Sequence, residues 1–377
     1  MEANGEMGSE MKIYIGAENV VSPLGLDIVE NFNSAFLGLS GLKSLQNPYP
    51  KIKQLFASSF PKAFEGRESK IEKIAEQSFK KSLAGTSSGF ENDRWLFVLS
   101  TTKGDVDFLK TEDFAKANPT YLLKQLQQKM PFKTEGKIIS CACISGLAAI
   151  IYAADAIAIG EFDHAMVVGA DVLSEFTTRG FDSFYALDSA QCKPFDATRK
   201  GLNLGEAAAS VVLSRNAAIF QETPFLYTAG ATSNDANHIS GPSRTGEGLY
   251  RAVKRAMHQS EISSAEVDYI SAHGTGTVYN DDMEATAFTR LGLANVPTNS
   301  LKGYFGHTLG ASALVEVAMG LHAMRQNVIL KTAGCNTIGV SNKLNVVIEN
   351  ERKEVIVMLK TASGFGGCNA AILVQNG

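Results

Sequence analysis

The sequence predicts an α/β protein whose sheets are covered by helices on both faces, and three observations carry that expectation. Short β-type apolar runs alternate with segments of helical period along nearly the whole chain, the pattern of layered α/β folds rather than of bundles or sandwiches. One stretch, residues 140–160 (SCACISGLAAIIYAADAIAIG), is apolar on every side and follows a short strand at 137–139, so it reads as a fully buried helix. The chain has 377 residues, 45% of them hydrophobic and 20% charged, which suffices for two packed cores or one large duplicated core.

In chain order, residues 12–16 (KIYIG) form a first strand, and VSPLG at 21–25 is a turn into a helix over 28–36. Residues 43–65 lack periodicity and are expected to wrap the surface. A helix with a basic tail is predicted over 70–83, then a Gly/Ser-rich loop at 85–89, a strand at 95–100 and an amphipathic helix at 119–130. The buried run ends at Gly160, suited to a left-handed cap, and strands come next at 165–169 and 208–213. Beyond these the pattern gives strand 226–230, helix 246–258, strand 267–271, helix 282–290, an extended stretch at 297–300 and helix 309–325. Strands at 345–348, 355–359 and 370–374 close the chain. Two similar halves, 11–241 and 242–377, are the expected organisation. Residues 1–10 are polar and acidic, unlike the rest of the chain, and are expected to be a disordered or added segment before a natural start at Met11.

Composition excludes several classes. A net charge of −4 gives no basic field for nucleic acid. No apolar run reads convincingly as a membrane span, because the central one is rich in alanine. The five cysteines are odd in number and scattered, with no secretory segment before them, so a reducing cytoplasm is expected.

The chemistry points to a sulfur nucleophile. Cys143 falls among the first residues of the buried run, where unpaired amides and the helix macrodipole favour thiolate over thiol. Two glycine-flanked segments each hold a histidine: His273 in HGTGT and His307 in KGYFGH. Glu316 lies inside the apolar ALVEVAMGLHAM segment, where an unpaired carboxylate is costly, so a cation such as Lys302 is expected beside it. GFGG at 364–367 lets backbone approach closely. Blander readings exist for each: Cys143 as a small core residue, the glycines as turn formers, and Cys141 as packing. A metal site from Cys141, Cys143, His273 and His307 lacks a second close pair. His164, His238, His258 and His322 have no motif around them.

Taken together, ACISG at 142–146, HGTGT at 273–277 with Asn280, Asp281 and Glu284 behind it, KGYFGH with Glu316 further on, and GFGGCN at 364–369 resemble the β-ketoacyl synthase family. Supporting matches are VSPLG, PFD at 194–196 and Gly205-Glu206, so the resemblance runs from Met11 to near the end. It implies a thiolase-like fold, two α/β halves stacked as α-β-α-β-α layers. The N-terminal half carries the nucleophile and the C-terminal half both histidines. It also implies a decarboxylative condensation of an acyl-enzyme with a malonyl thioester. In that scheme Cys143 holds the acyl group, His273 and His307 stabilise the enolate, and Lys302 keeps the histidine and carboxylate geometry. Glu316 and Asp281 support them. The amides of Cys143 and Phe365 form an oxyanion hole, with Phe365 between Gly364 and Gly366 as acyl-pocket gate. No metal and no organic cofactor is implied. The implied partners are an acyl carrier protein and a second copy or synthase-like subunit. Arg67, Lys70 and Lys73 are candidate carrier-docking cations, against the reading of a solvated helix face.

The sequence departs from the family at Ser363, where many members carry phenylalanine, and in a short region between Lys43 and Tyr121. The compact form is closer to synthases of specialised lipid, polyketide or polyene pathways. Two alternatives stand beside the main reading. One is a thiolase using Cys368 as a second cysteine; the other is one half of a heterodimer, either its catalytic chain or a pocket-shaping partner.

Overall fold

A computed structural model of the chain describes residues 11–61, 69–87, 91–131, 133–238 and 241–377. The segment 1–10 and Arg67 lie outside the described residues.

Among the described residues, ten strands form one mixed sheet: β1 (Ile13–Val21), β2 (Trp95–Ser100), β3 (Thr134–Ile139), β4 (His164–Asp171), β5 (Ala207–Ser214), β6 (Phe225–Asn234), β7 (Tyr269–Ser271), β8 (Thr298–Asn299), β9 (Val357–Gly364) and β10 (Cys368–Gln375). Every residue of β2, β4 and β5 is buried, which is why their sequences are nearly continuous apolar runs rather than alternating ones.

The sheet order, β8-β7-β9-β10-β6-β1-β5-β4-β2-β3, exposes an internal duplication. In β1 to β5, the first and fourth strands pair antiparallel with the fifth, and the second runs parallel to the third and fourth. The set β6 to β10 repeats those pairings one for one. The halves meet where β1 and β6 pair antiparallel over only Ile13–Ile15 and Phe225–Tyr227. Strand pairing thus groups Phe225–Asn234 with the second set, ahead of the boundary expected at 242. Periodicity registers 225–234 only as one more strand, and hydrogen-bond pairing assigns it to the second set.

Among the described residues, eight helices of two or more turns cover these strands: α1 (Ile28–Phe36), α2 (Lys70–Ala84), α3 (Pro119–Gln128), α4 (Ser145–Ala158), α5 (Glu175–Ser183), α6 (Glu247–Ser260), α7 (Val278–Arg290) and α8 (Ser312–Arg325). Helices α4 and α8 each touch strands of both halves, so they form the central layer. That position explains why both are apolar nearly all round, with every residue of α8 buried except His322 and Arg325. They pack closely because Gly146 has no side chain, and a Cβ there would stand 2.7 Å from the Leu314 nitrogen. The outer helices α2 and α6 are amphipathic. They bury Ile71, Ile74, Ala75 and Phe79, and Leu249, Ala252, Val253 and Ala256.

Three local differences from the sequence reading have physical causes. Residues 42–58 form a hairpin, Leu42–Tyr49 with Ile52–Ser58, joined by Leu204–Gly205. Its strands are mostly exposed at the tip and carry few buried apolar residues, so no strong period-2 signal marks them. Residues 345–348 contribute only a bridge between Val346 and Thr298 rather than a strand. The central helix starts at Ser145, leaving 140–144 as a turn. Among the described residues no helix is long and apolar enough to cross a membrane.

Candidate active site

The turn between β3 and α4 is built to present Cys143. Ala142 adopts φ 44°, a left-handed conformation that costs energy for a residue with a Cβ. The Ser145 side chain holds it, donating to the Ala142 carbonyl at 2.6 Å and accepting from the Cys141 amide at 2.8 Å. Cys143 thus stands just before the helix, and its side chain is buried. The expectation of a resting thiolate does not survive this placement. Burial pushes the Cys143 thiol up to about 11, outweighing the Lys302 ammonium and the Phe365 amide, which act in the opposite direction. A helix N-terminus supplies about 0.3–1 kcal/mol, whereas one pKa unit is worth about 1.4 kcal/mol. The macrodipole therefore cannot overcome the loss of water.

Both histidine segments converge on this sulfur. His307 Nε2 lies 3.0 Å from Cys143 Sγ, and the His273 and His307 rings are 5.3 Å apart and nearly perpendicular. The His307 backbone is tied across to the Leu204–Gly205 strand: its amide donates to Asn203 and its carbonyl accepts from Gly205. HGTGT hangs from the carboxylates of α7. Glu284 accepts from the His273 and Gly274 amides at 2.8 and 2.6 Å, and Asp281 accepts from Thr275, Gly276 and Phe195. Burial lifts Asp281 to about 6, and burial followed by the Asp281 charge lifts Glu284 to about 7. Burial first, then Lys302, holds both histidines well below the ordinary imidazole range. The resting site is a neutral thiol beside two neutral imidazoles.

Lys302 sits behind His273. Its ammonium donates to Glu316 Oε1 at 2.6 Å and to the His273 carbonyl at 2.7 Å, and it lies 3.4 Å from His273 Nδ1. An ammonium can only donate, so Nδ1 is the accepting nitrogen and the ring proton resides on Nε2. Glu316 meets a second ammonium that the sequence reading missed: Lys360 Nζ stands 2.7 Å from Oε2. The signal was present, since Lys360 is a lone charge in the apolar strand VMLKTASG.

The gate loop closes the site from the other half of the sheet. A Cβ on Gly364 would come within 3.0 Å of the Cys143 nitrogen, so only glycine admits this approach, and the Phe365 amide reaches the Cys143 sulfur. The Phe365 ring stacks on Phe181 at 5.3 Å and meets Phe184 edge-on at 5.4 Å. Phe181 and Phe184, at the end of α5, were not singled out in the sequence because no motif surrounds them. Gly366, with φ 82°, lies at the exposed tip of the loop. Above Cys143, His273 and His307 opens a cavity of about 480 Å³, whose lining includes Phe184, Tyr185, Leu202 and Tyr279.

Other expected residues fall elsewhere. Lys70 pairs at 3.0 Å with the buried Glu206 and does not line the cavity. The buried Glu206 carboxylate thus has Lys70 as its counter-ion. Lys73 lies on the same helix, half-buried and also outside the cavity lining. Cys368 Sγ is 3.3 Å from the Phe365 carbonyl and 3.8 Å from that of Cys141, and neither cysteine lines the cavity. That orientation removes the geometric basis for Cys368 as a thiolase-type base. Cys143, His273 and His307 offer ligand atoms within 4.8 Å of one another, a spacing that a transition metal accepts. A cation there would need the His273 Nε2 proton removed and would face the Lys302 ammonium.

The chain matches the family descriptions "Beta-ketoacyl synthase, N-terminal domain" over residues 62–218 and "Beta-ketoacyl synthase, C-terminal domain" over 226–336. The two matches part at the seam that the sheet topology marks. Among curated proteins, a mitochondrial 3-oxoacyl-[acyl-carrier-protein] synthase of Schizosaccharomyces pombe is 27% identical over 96% of this chain and 98% of its own length. A polyketide β-ketoacyl synthase of Streptomyces halstedii is 30% identical over 77% of this chain and 72% of its own. Among solved structures, a ketosynthase from Xenorhabdus doucetiae, in complex with its chain length factor, superposes with a TM-score of 0.85 at 24% identity, covering 97% of this chain and 98% of the other.

Proposed function

Because the chain belongs to the β-ketoacyl synthase family, we propose that it is an acyltransferase that lengthens an acyl chain by decarboxylative Claisen condensation. Cys143 accepts the acyl group from an acyl carrier protein, and a malonyl thioester on a second carrier supplies two carbons. The observation that carries this reading is the buried Cys143 thiol 3.0 Å from His307 Nε2, with His273 facing the same cavity.

The neutral pair sets how the first step runs. The thiol gives its proton to His307 Nε2 as sulfur attacks the acyl carbonyl, the carbonyl–carrier sulfur bond breaks, and the departing carrier thiolate takes that proton from His307. The amides of Cys143 and Phe365 receive the charge on the acyl oxygen. In the second step the malonyl carboxylate leaves as carbon dioxide, and the electron pair moves onto the thioester oxygen as an enolate. His273 donates to that oxygen from Nε2, the nitrogen that Lys302 leaves protonated, and His307 faces it from the perpendicular ring. The enolate carbon attacks the acyl-cysteine, the carbon–sulfur bond breaks, and the Cys143 sulfur takes up one proton from water to regenerate the thiol. Asp281 and Glu316 act on positions rather than on substrate. Phe365, between Gly364 and Gly366, gates the cavity through its stack on Phe181.

An acyl chain on a slender carrier arm fits a cavity whose reactive sulfur lies at the floor beneath an aromatic rim. The dimeric state is part of the proposal, with a second copy or a synthase-like subunit as partner. Similarity to a ketosynthase solved with its chain length factor supports the heterodimer, and the retained Cys143 makes this chain its catalytic half. Five free cysteines suit a reducing cytoplasm.

Intact mass after incubation with an acyl-carrier thioester tests the reading. The wild-type chain gains one acyl adduct and Cys143→Ala gains none, and malonyl carrier then releases carbon dioxide and an elongated thioester. Equal adducts on both proteins refute Cys143 as acceptor. Copurification with a second synthase-like chain that lacks the cysteine decides between homodimer and heterodimer.

A further inference from the structure

One buried cation takes no part in the steps above. Lys360, in β9, is fully buried and pairs in register with Ser271 at the end of β7. Its three ammonium protons go to carbonyls, those of Ser271 and Ala272 at 3.1 Å and Thr361 at 2.6 Å. Ser271 and Ala272 are the two residues that lead into His273. The same ammonium lies 2.7 Å from Glu316 Oε2, a contact of charge rather than a directed hydrogen bond, because its protons are already placed.

The charges facing Lys360 come from every element packed on it. Helix α8 brings Glu316, the single turn Lys302–Phe305 brings Lys302, and α7 brings Glu284, whose Oε1 lies 3.4 Å from the hydroxyl of Thr361, the residue after Lys360. Asp281 stands behind Glu284 with its own guanidinium, Arg199, 3.8 Å away. His273 is the titratable group in front. Lys302 and Lys360 together match Glu316 and Glu284 in charge. Remove Lys360 and two buried carboxylates share one ammonium, an arrangement the interior does not tolerate without protonating one of them. Glu284 is the one to protonate, because Glu316 keeps Lys302 at 2.6 Å. A protonated Glu284 loses an acceptor at the His273–Gly274 amides.

We infer that Lys360 is a positioning residue for His273, the shared counter-ion of Glu316 and Glu284 that also pins the two carbonyls leading into the histidine. The inference rests on His273 acting on the malonyl thioester, but its stability consequence does not. Glu284 already sits above the ordinary carboxyl range, so its ionisation weakens the folded state as pH rises from about 4.5 to 7. Without Lys360 the folded value moves higher, and the weakening continues above pH 7.

The test compares the full-length wild type with Lys360→Met, Glu284→Gln and the double variant. Melting temperature is followed between pH 5.5 and 9, and decarboxylation of malonyl carrier over the same range. The melting deficit of Lys360→Met is expected to widen with pH and to lose that widening in the Glu284→Gln background. In the single variant the acidic limb of kcat should move up by about one pH unit, with KM unchanged. A pH-independent deficit that simply adds to that of Glu284→Gln makes Lys360 a packing residue and overturns the inference. If Lys360→Met fails to fold, recovery in the double variant supports the counter-ion role, and failure of both overturns it. A wild type inactive in decarboxylation and condensation refutes the functional reading instead, and the melting comparison still judges Lys360.

Discussion

The protonation state of Cys143 gives the sharpest prediction. A thiol at about 11 leaves a thiolate fraction near 1 in 10⁴ at pH 7, roughly a hundredfold below an unperturbed thiol at 9.0. Alkylation by iodoacetamide, which has no use for His307, should therefore be slow at neutral pH and rise about tenfold per pH unit up to pH 10 without a plateau. Cys141, two residues away in the same peptide, is the internal control. Its interaction with Cys368 lowers its thiol below the ordinary range, so its alkylation should level off at a lower pH than that of Cys143. Fragmentation of the peptide by tandem mass spectrometry separates the two sites. Acyl transfer should behave differently, because the thioester reaction passes the proton to His307: His307→Asn is expected to slow acylation by about 10²–10⁴-fold while leaving the slow alkylation nearly unchanged. A Cys143 alkylation plateau below about pH 8 refutes this account. It would mean that the resting pair is thiolate and imidazolium and that burial does not dominate.

Two further outcomes rest on the same geometry. Lys302→Met strips Glu316 of its closest cation and His273 Nδ1 of its donor, so decarboxylation should fall by about 10²–10³-fold and denaturant titration should show a loss of about 3–5 kcal/mol. Undiminished turnover would dismiss the tautomer argument. Gly146→Ala pushes a methyl to 2.7 Å from the Leu314 nitrogen and should cost about 1–3 kcal/mol in urea unfolding. Acylation should slow as well, because α8 comes directly after the His307 segment while α4 comes directly after Cys143; an unaltered rate and midpoint would show that the central helices have slack.

Parts of this site were legible in the letters because chemistry restricts which residues can stand there. An apolar run with no polar face has to be interior, so α4 and its leading cysteine stood out. A carboxylate inside ALVEVAMGLHAM has to meet a cation, and Lys302 meets it at 2.6 Å. Glycines around two histidines and at 364–367 marked places where backbone crowds a neighbour. What the letters did not show depended on distance in space. Lys70 had the spacing of a solvated face, yet Glu206, 136 residues on, captures it. Lys360 went unremarked in the sequence because its partners on β7 and α8 come from distant segments.

The sequence by itself determined the layered α/β class, singled out a cysteine and two histidines that the fold brings together, and required a buried ion pair, since hydrophobic periodicity and the cost of unpaired charge are local properties of a chain. Tertiary structure alone decided that β6 pairs with the second set of strands, that Phe181 and Phe184 meet the gate, and that burial pushes the Cys143 thiol up. Pairing, ring contact and loss of water arise only when segments far apart in the chain surround the same few cubic ångströms.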